Sequence, residues 1–222
     1  MDVRYFLNRK VNFIRHFYEM SSAPFVERKR QIEAEEEPYV PPYSEDPEPA
    51  FLEQWLEAEE SLQVVGRTCI SMLAAVFHLY FKTWERRIGI PVDASLKADF
   101  KSGWFNGYRA YFARHFRIRF EDSPNKLGVL EEIVLVRNRD QHPESIVMDS
   151  SHYSESDLKK LSHPFFIGEN DASLFSEGEE GERAWLMEPP IRVTAEKLFI
   201  ALSEVESFAE WLENVEVEQH AS

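Results

Sequence analysis

Residues 136–143 read Val-Arg-Asn-Arg-Asp-Gln-His-Pro and bring an arginine, an amide and a histidine close together in the chain. The guanidinium of Arg137 is suited to bind phosphate oxygens, because its planar fork donates two parallel hydrogen bonds. The imidazole of His142 can accept or donate a proton near neutral pH. Asn138 can orient that imidazole or a ribose hydroxyl. These residue types predict acid–base chemistry at a phosphate group.

An amphipathic helix is expected to position these side chains. Residues 124–142 repeat apolar side chains at three-to-four spacing, and Arg137 continues the stripe that contains Leu130 and Val134. His142 stands before a proline, which disfavours helix beyond it, and the helix dipole favours a protonated imidazole at a C-terminus. We therefore expect Arg137 to point into the bundle or an interface, and His142 to lie at the helix end.

The sequence from Arg137 to His142, Arg-Asn-x-x-x-His, resembles the signature of the HEPN superfamily, in which an arginine and a histidine are separated by four to six residues. The resemblance covers this motif, its placement at a helix end and the number of helices. It implies a dimeric, metal-independent endoribonuclease with Arg137 and His142 catalytic and Asn138 supporting. It also implies a role in toxin–antitoxin or antiviral defence systems, with a protein antitoxin or regulator as a partner.

The bare arginine–histidine spacing has limited specificity, because it occurs three times in the chain. The other two occurrences are Arg9 to His16 and Arg109 to His115. The adjacent asparagine, the following proline and the preceding apolar stripe distinguish the occurrence at 137–142. The motif provides one histidine per chain, whereas cleavage through the 2′-hydroxyl needs both a base and an acid. A homodimer that pairs two motifs would provide both.

The other elements predict an all-α helical bundle with four to five main helices. Helical patterns besides the one at 124–142 cover residues 3–36, 50–88, 94–119 and 193–215. Ser123 is a candidate N-cap before Pro124, and Asp93 and Thr194 are candidates for the helices that follow them. We interpret residues 1–222 as one HEPN-like domain.

Two segments interrupt the helical pattern. Residues 33–49 form an acidic, proline-rich arm, in which no regular element is expected. Residues 143–192 form an irregular insertion before the last helix, rich in Ser, Asp, Glu, Gly and Pro. The short apolar runs at 165–167 and 184–187 are candidates for a β-hairpin within this insertion.

Charge is distributed unevenly along the chain. The formal net charge is −15, yet residues 1–30 and 82–119 are basic. Within the second stretch, aromatic residues at helical spacing alternate with cations, a combination used to bind RNA through phosphate contacts and base stacking. We expect the aromatic residues in the core, and the candidate RNA-binding residues are Arg109, Arg114, Arg117 and Arg119. Ordinary solvated helix faces remain the alternative interpretation of this stretch.

The composition favours a soluble, cytoplasmic protein. No secretory signal is recognisable, and the longest apolar run, at 69–81, is too short for a membrane span and contains His78. Cys69 is the single cysteine and is expected to be buried. The spacing of His152 and His163 with nearby carboxylates matches no standard metal-ligand set, so we predict neither a metal nor another cofactor. The alternative to a ribonuclease is a non-catalytic helical module for protein interaction or regulation.

Overall fold

The computed structural model describes residues 2–43, 47–141, 151–161, 163–168, 171, 175–177, 183–185 and 188–220. Its helices are α1 (Val3–Glu33), α2 (Leu52–Ile88), α3 (Lys97–Lys101), α4 (Trp104–Phe116), α5 (Leu127–Gln141), α6 (Glu155–Leu158) and α7 (Ala195–His220). Five of these helices are long enough to build the core. The predicted all-α bundle is thereby confirmed.

Helices α1 and α2 form a long antiparallel hairpin. Helix α1 continues through Pro24 without interruption. At the end of the hairpin next to the acidic arm, Lys29 pairs with Glu59 over 2.5 Å and Arg28 with Glu57 over 3.1 Å. The described residues between the two helices form turns and extended backbone, as the proline content predicts.

Helix α2 supplies the centre of the core. Phe77 and Phe81 are fully buried and pack against Phe105 of α4 and Phe208 of α7. Cys69 is also fully buried, and this burial raises the pKa of its thiol to about 12. The aromatic side chains therefore make the contacts that hold three long helices together.

Helix α2 is also the one helix in the described part of the chain whose length and composition would permit a membrane span. Its most apolar window of 18 residues has a mean hydropathy of 1.5, and half of that window is buried inside the bundle. Core helices of soluble proteins also meet this length and composition.

The helix predicted at 94–119 is divided in the structure. A 3₁₀ turn (Ala94–Leu96) leads into α3, and Gly103, with φ of 133°, then separates α3 from α4. Asp93 caps the turn as predicted, since its Oδ1 accepts a hydrogen bond from the backbone N–H of Ser95 over 2.6 Å. Gly103 divides the predicted helix because glycine adopts such a backbone conformation without steric cost.

Helix α5 begins at Leu127, so the predicted start at Ser123-Pro124 is wrong. Ser123 instead closes a turn, in which its Oγ accepts a hydrogen bond from the backbone N–H of Asn125 over 3.2 Å. The side-chain amide of Asn125 then donates to Oε2 of Glu204 on α7 over 2.9 Å. This contact with α7 stabilises the turn, and the first helical turn forms after it.

The segment before α7 is irregular but firmly attached to the bundle. Tyr153, Phe166 and Ile191 are fully buried. The predicted pairing of 165–167 with 184–187 is wrong, because Phe165–Ile167 packs on α5 as bends. A short antiparallel pair joins β1 (Phe175–Glu177) to β2 (Arg183–Trp185) instead.

Glu132 of α5 anchors this segment. Its carboxylate is buried and accepts hydrogen bonds from the Tyr153 hydroxyl and from the backbone N–H groups of Phe165 and Phe166, the last two over 2.8 Å. Burial raises the pKa of Glu132, and these hydrogen bonds act in the opposite direction. A carboxylate within an otherwise apolar helix face therefore satisfies the polar groups of a buried loop.

The last helix closes the bundle through two kinds of contact. Just before α7, the backbone N–H of Val193 donates to Oε1 of Gln63 over 2.9 Å, and a Cβ at Gly66 would lie 2.6 Å from the Val193 carbonyl oxygen. On α7 itself, Glu210 pairs with Arg4 over 3.1 Å. Part of the acidic face of α7 thus neutralises the basic α1 within the same chain.

Candidate active site

The last turn of α5 carries Arg137 and Asn138, and the two side chains meet. Nη1 of Arg137 donates to Oδ1 of Asn138 over 3.0 Å. Arg137 is half-buried and Asn138 is exposed, so the pair lies at the surface of the bundle. His142, the third predicted catalytic residue, lies outside the described residues. Its role stays a prediction.

The other two charged residues of this turn have structural partners. Nε of Arg139 donates to Oδ2 of Asp157 over 2.7 Å, which connects α5 to α6. Asp140 accepts a hydrogen bond from the Ser71 hydroxyl over 3.1 Å, and its Oδ1 lies 3.6 Å from Nε of the buried Arg67. These contacts with α2 and α6 hold the end of α5 rigidly in place.

Arg137 differs from these neighbours in having no counter-ion in the described part of the chain. No carboxylate among the described residues lies within ion-pair distance of its guanidinium. A half-buried arginine that is fixed on a rigid helix end and lacks an acidic partner is available to bind an anion. Phosphate is the anion that its planar, bidentate geometry fits well.

His78 of α2 is a further residue of this site, and sequence reasoning did not identify it. Its ring is half-buried and stacks on the indole of Trp104, with centroids 4.7 Å apart and planes 12° apart. Burial lowers the pKa of His78, and the positive charges of Lys82 and Arg137 lower it further, while Glu85 raises it. The imidazole is therefore neutral at neutral pH and can accept a proton.

The predicted RNA-binding residues on α4 are partly engaged in ion pairs. Arg109 bonds through Nε to Glu121 over 2.7 Å and through Nη1 to Glu131 over 3.1 Å. Arg114 pairs with Asp93 over 3.4 Å. We call Arg109, Arg114, Arg117 and Arg119 the arginine strip. These pairs reduce its positive potential, although Arg109 and Arg114 keep about a third to a half of their side-chain surface exposed.

Arg117 and Arg119 follow at the end of α4, and both are exposed. Arg117 adopts a left-handed backbone conformation, with φ of 56°, and ends the helix. Arg109 pairs with Glu131, and Glu131 lies six residues before Arg137 on α5, which corresponds to about 9 Å along the helix axis. The strip therefore begins near the motif, and whether it contacts RNA stays a prediction.

The two histidines of the irregular segment belong to no recognisable metal site among the residues that the structure describes. His152 joins Pro190 in an isolated β-bridge, and His163 is exposed. Within the described ranges, no three His, Cys, Asp or Glu side chains cluster in a way that would hold a metal ion. The expectation of metal-independent chemistry therefore still depends on the motif alone.

Comparison with known proteins adds no relative, since no family model, no curated protein and no solved structure matches the chain. Interpretation of the site therefore depends on its geometry and on the resemblance of the motif.

Proposed function

We propose that this chain is a HEPN-like, metal-independent endoribonuclease that acts in the cytoplasm as a homodimer, in a toxin–antitoxin or defence setting. The observation that carries the proposal is the difference in contacts between the charged residues in the last turn of α5. Arg139 and Asp140 fix the turn, whereas Arg137 lies beside Asn138 and has no carboxylate partner among the described residues. A guanidinium in this setting supports anion binding at the end of α5.

The chemistry follows from the residue types. The 2′-hydroxyl of RNA attacks the adjacent phosphorus, and His142 transfers a proton as acid or base. Arg137 stabilises the negative charge that develops on the phosphoryl oxygens. The products are a 2′,3′-cyclic phosphate and a 5′-hydroxyl, and no metal ion takes part.

An exposed apolar surface supports the homodimer. Phe13 and Met20 of α1 are 61% and 66% exposed, and Phe6 of α1 lines a cleft against Leu79 of α2. We call this surface, formed by Phe6, Phe13, Met20 and Leu79, the α1–α2 apolar face. Contiguous exposed apolar side chains mark interaction sites. A second copy is its proposed occupant, because a self-complementary apolar contact needs no additional partner.

The same surface favours a second candidate function. A non-catalytic helical module would use the α1–α2 apolar face to bind a different protein, such as an antitoxin or regulator. In that case Arg137 and Asn138 would have no chemical role. The two candidates differ in whether purified protein cleaves RNA.

The decisive experiment measures RNA cleavage in the presence of EDTA. Wild-type protein is expected to produce fragments that end in 2′,3′-cyclic phosphate. Arg137→Ala and His142→Ala are each expected to lower the rate by about 10²–10⁴. Arg9→Ala and His16→Ala are matched controls, since this exposed pair on α1 repeats the arginine–histidine spacing.

The melting temperature of each variant separates loss of chemistry from loss of fold. Removal of Arg137 is expected to cost about 1 kcal/mol or less, because its one described hydrogen bond is to an exposed side chain. Absence of cleavage across varied RNAs, with and without divalent ions, would support the interaction module instead.

A further inference from the structure

We infer that His78 is the base that accepts the proton of the RNA 2′-hydroxyl at the site formed around Arg137. The inference rests on the proposed ribonuclease function and names a second imidazole within the same chain. Under the proposed function, His142 then acts as the acid. Each chain would contain both proton-transfer groups, and dimerisation would not be needed to supply the second one.

Helix packing places His78 and Arg137 on the facing sides of α2 and α5. The hydrogen bond from Ser71 to Asp140 fixes the register between α2 and α5. His78 follows Ser71 by seven residues, so both lie on the face of α2 that contacts α5, about 10 Å apart along the axis. Arg137 precedes Asp140 by three residues on α5. Because α5 runs antiparallel to α2, this step has the same direction as the step from Ser71 to His78. The axial offset that remains between Arg137 and His78 is about four residues, or about 6 Å, and the positive charge of Arg137 lowers the pKa of His78.

Aromatic contacts fix the plane of the His78 imidazole, and no described residue forms a hydrogen bond with its ring nitrogens. Trp104 stacks on one face of the ring and Tyr108 contacts it edge-on, with centroids 6.2 Å apart. Neither ring nitrogen has a hydrogen-bond partner among the described residues. A histidine with a structural role would be expected to satisfy at least one nitrogen, whereas a base needs a free nitrogen directed at its substrate.

The charged groups around His78 favour the neutral ring. Lys82 lies on the same helix and Arg137 on α5, and both repel a proton on the imidazole. Glu85 attracts such a proton, but its Oε2 already accepts a hydrogen bond from the Tyr108 hydroxyl over 2.8 Å. Base-assisted attack on a phosphodiester requires a neutral imidazole and a cation for the phosphoryl oxygens, and the facing sides of α2 and α5 provide His78 and Arg137 for these two roles.

The proposed step balances without any further reactant. The 2′-oxygen forms a bond to phosphorus while its proton passes to the free nitrogen of His78. Arg137 binds the non-bridging oxygens. The bond from phosphorus to the 5′-oxygen breaks, and that oxygen takes a proton from the acid. The proton on His78 is released to solvent after the cyclic phosphate leaves.

The test compares two substrates that differ in leaving group. RNA needs an acid to protonate its 5′-oxygen, whereas uridine 3′-(4-nitrophenyl phosphate) releases nitrophenolate without one. His78→Phe keeps an aromatic ring on Trp104 and removes the titratable nitrogens. We expect His78→Phe to lower cleavage of both substrates by about 10²–10⁴. His142→Ala is expected to lower cleavage of RNA but not of the nitrophenyl ester.

The pH profile gives an independent readout. The wild-type rate is expected to rise with pH through the pKa of His78, which lies below the ordinary histidine value, and this limb should disappear in His78→Phe. His78→Gln is the second variant in case phenylalanine perturbs folding, and His16→Phe is the matched control. If folded His78→Phe and His78→Gln cleave both substrates at the wild-type rate, the inference is overturned and the proposed function still stands. A wild-type protein that cleaves neither substrate would overturn both.

Discussion

Replacement of Glu132 by alanine is expected to detach the segment before α7 from the bundle. The carboxylate of Glu132 accepts three hydrogen bonds, from the Tyr153 hydroxyl and the backbone N–H groups of Phe165 and Phe166. Tyr153 and Phe166 are fully buried, so water cannot easily replace the lost acceptor. Each buried donor left without an acceptor costs about 1–3 kcal/mol. Partial relaxation of the loop reduces the sum, and we expect a loss of about 3–5 kcal/mol in the free energy of unfolding.

Glu131 provides the matched control for this substitution. It is the adjacent glutamate on the same helix, its side chain is 41% exposed, and it pairs with Arg109 over 3.1 Å. A surface ion pair of this kind contributes about 1 kcal/mol or less. Urea denaturation of Glu132→Ala and Glu131→Ala measures both costs. Equal unfolding midpoints, with equal dependence on urea, would refute the anchoring role of Glu132.

The contribution of Glu132 to folding stability is expected to depend on pH with the opposite sign to that of a carboxylate whose pKa is lowered on folding. Burial raises the folded-state pKa of Glu132 above its ordinary value of 4.5, so protonation favours the folded state. This contribution is fully present below the unfolded pKa and is lost as the pH rises through the raised folded pKa. The stability of wild type minus that of Glu132→Gln is therefore expected to increase as the pH falls from neutral towards 4.5. Melting curves of both proteins across this range would show a constant or decreasing difference if the carboxylate were not desolvated.

Four further substitutions have defined outcomes. Gly66→Ala is expected to destabilise the fold by about 1–3 kcal/mol, since its Cβ would lie 2.6 Å from the Val193 carbonyl oxygen. Gly128→Ala, on an open side of α5, should instead stabilise it by about 0.5–1 kcal/mol, and thermal melts check both. Phe13→Asp should convert the proposed dimer to monomer in light scattering, whereas an unchanged mass would exclude the α1–α2 apolar face. Arg117→Ala should weaken RNA binding and reduce its salt dependence in a titration, with no change in melting temperature.

The sequence predicted the helices well because their apolar stripes are long. Periodicity located all five main helices, and Asp93 marked the start of the 3₁₀ turn correctly. Helix boundaries are not predictable from local sequence where a tertiary contact determines them. Ser123 had the residue type of an N-cap, but the hydrogen bond between Asn125 and Glu204 on α7 stabilises a turn there instead. Nothing near Ser123 in the sequence indicates Glu204.

The candidate site was predictable only where it lies within one helix. Arg137 and Asn138 are adjacent in sequence, and their juxtaposition followed from the motif. His78 was not predictable, because its relation to Arg137 depends on the register between α2 and α5. A histidine within an apolar run resembles an ordinary core residue until the partner helix is known. Glu132 was missed for a similar reason, since a glutamate on a helix is more often solvated than buried.

The buried state of Cys69 determines how the protein can be labelled. Its thiol is inaccessible, and with a pKa of about 12 it forms almost no thiolate at neutral pH, so thiol-directed reagents will not modify it in the folded state. A cysteine introduced at an exposed position would therefore be the single reactive thiol of the chain. Placed at Met20, it would carry a spin label or fluorophore on the α1–α2 apolar face without removal of the native cysteine. Distances between two such labels would report directly on the geometry of an assembled pair.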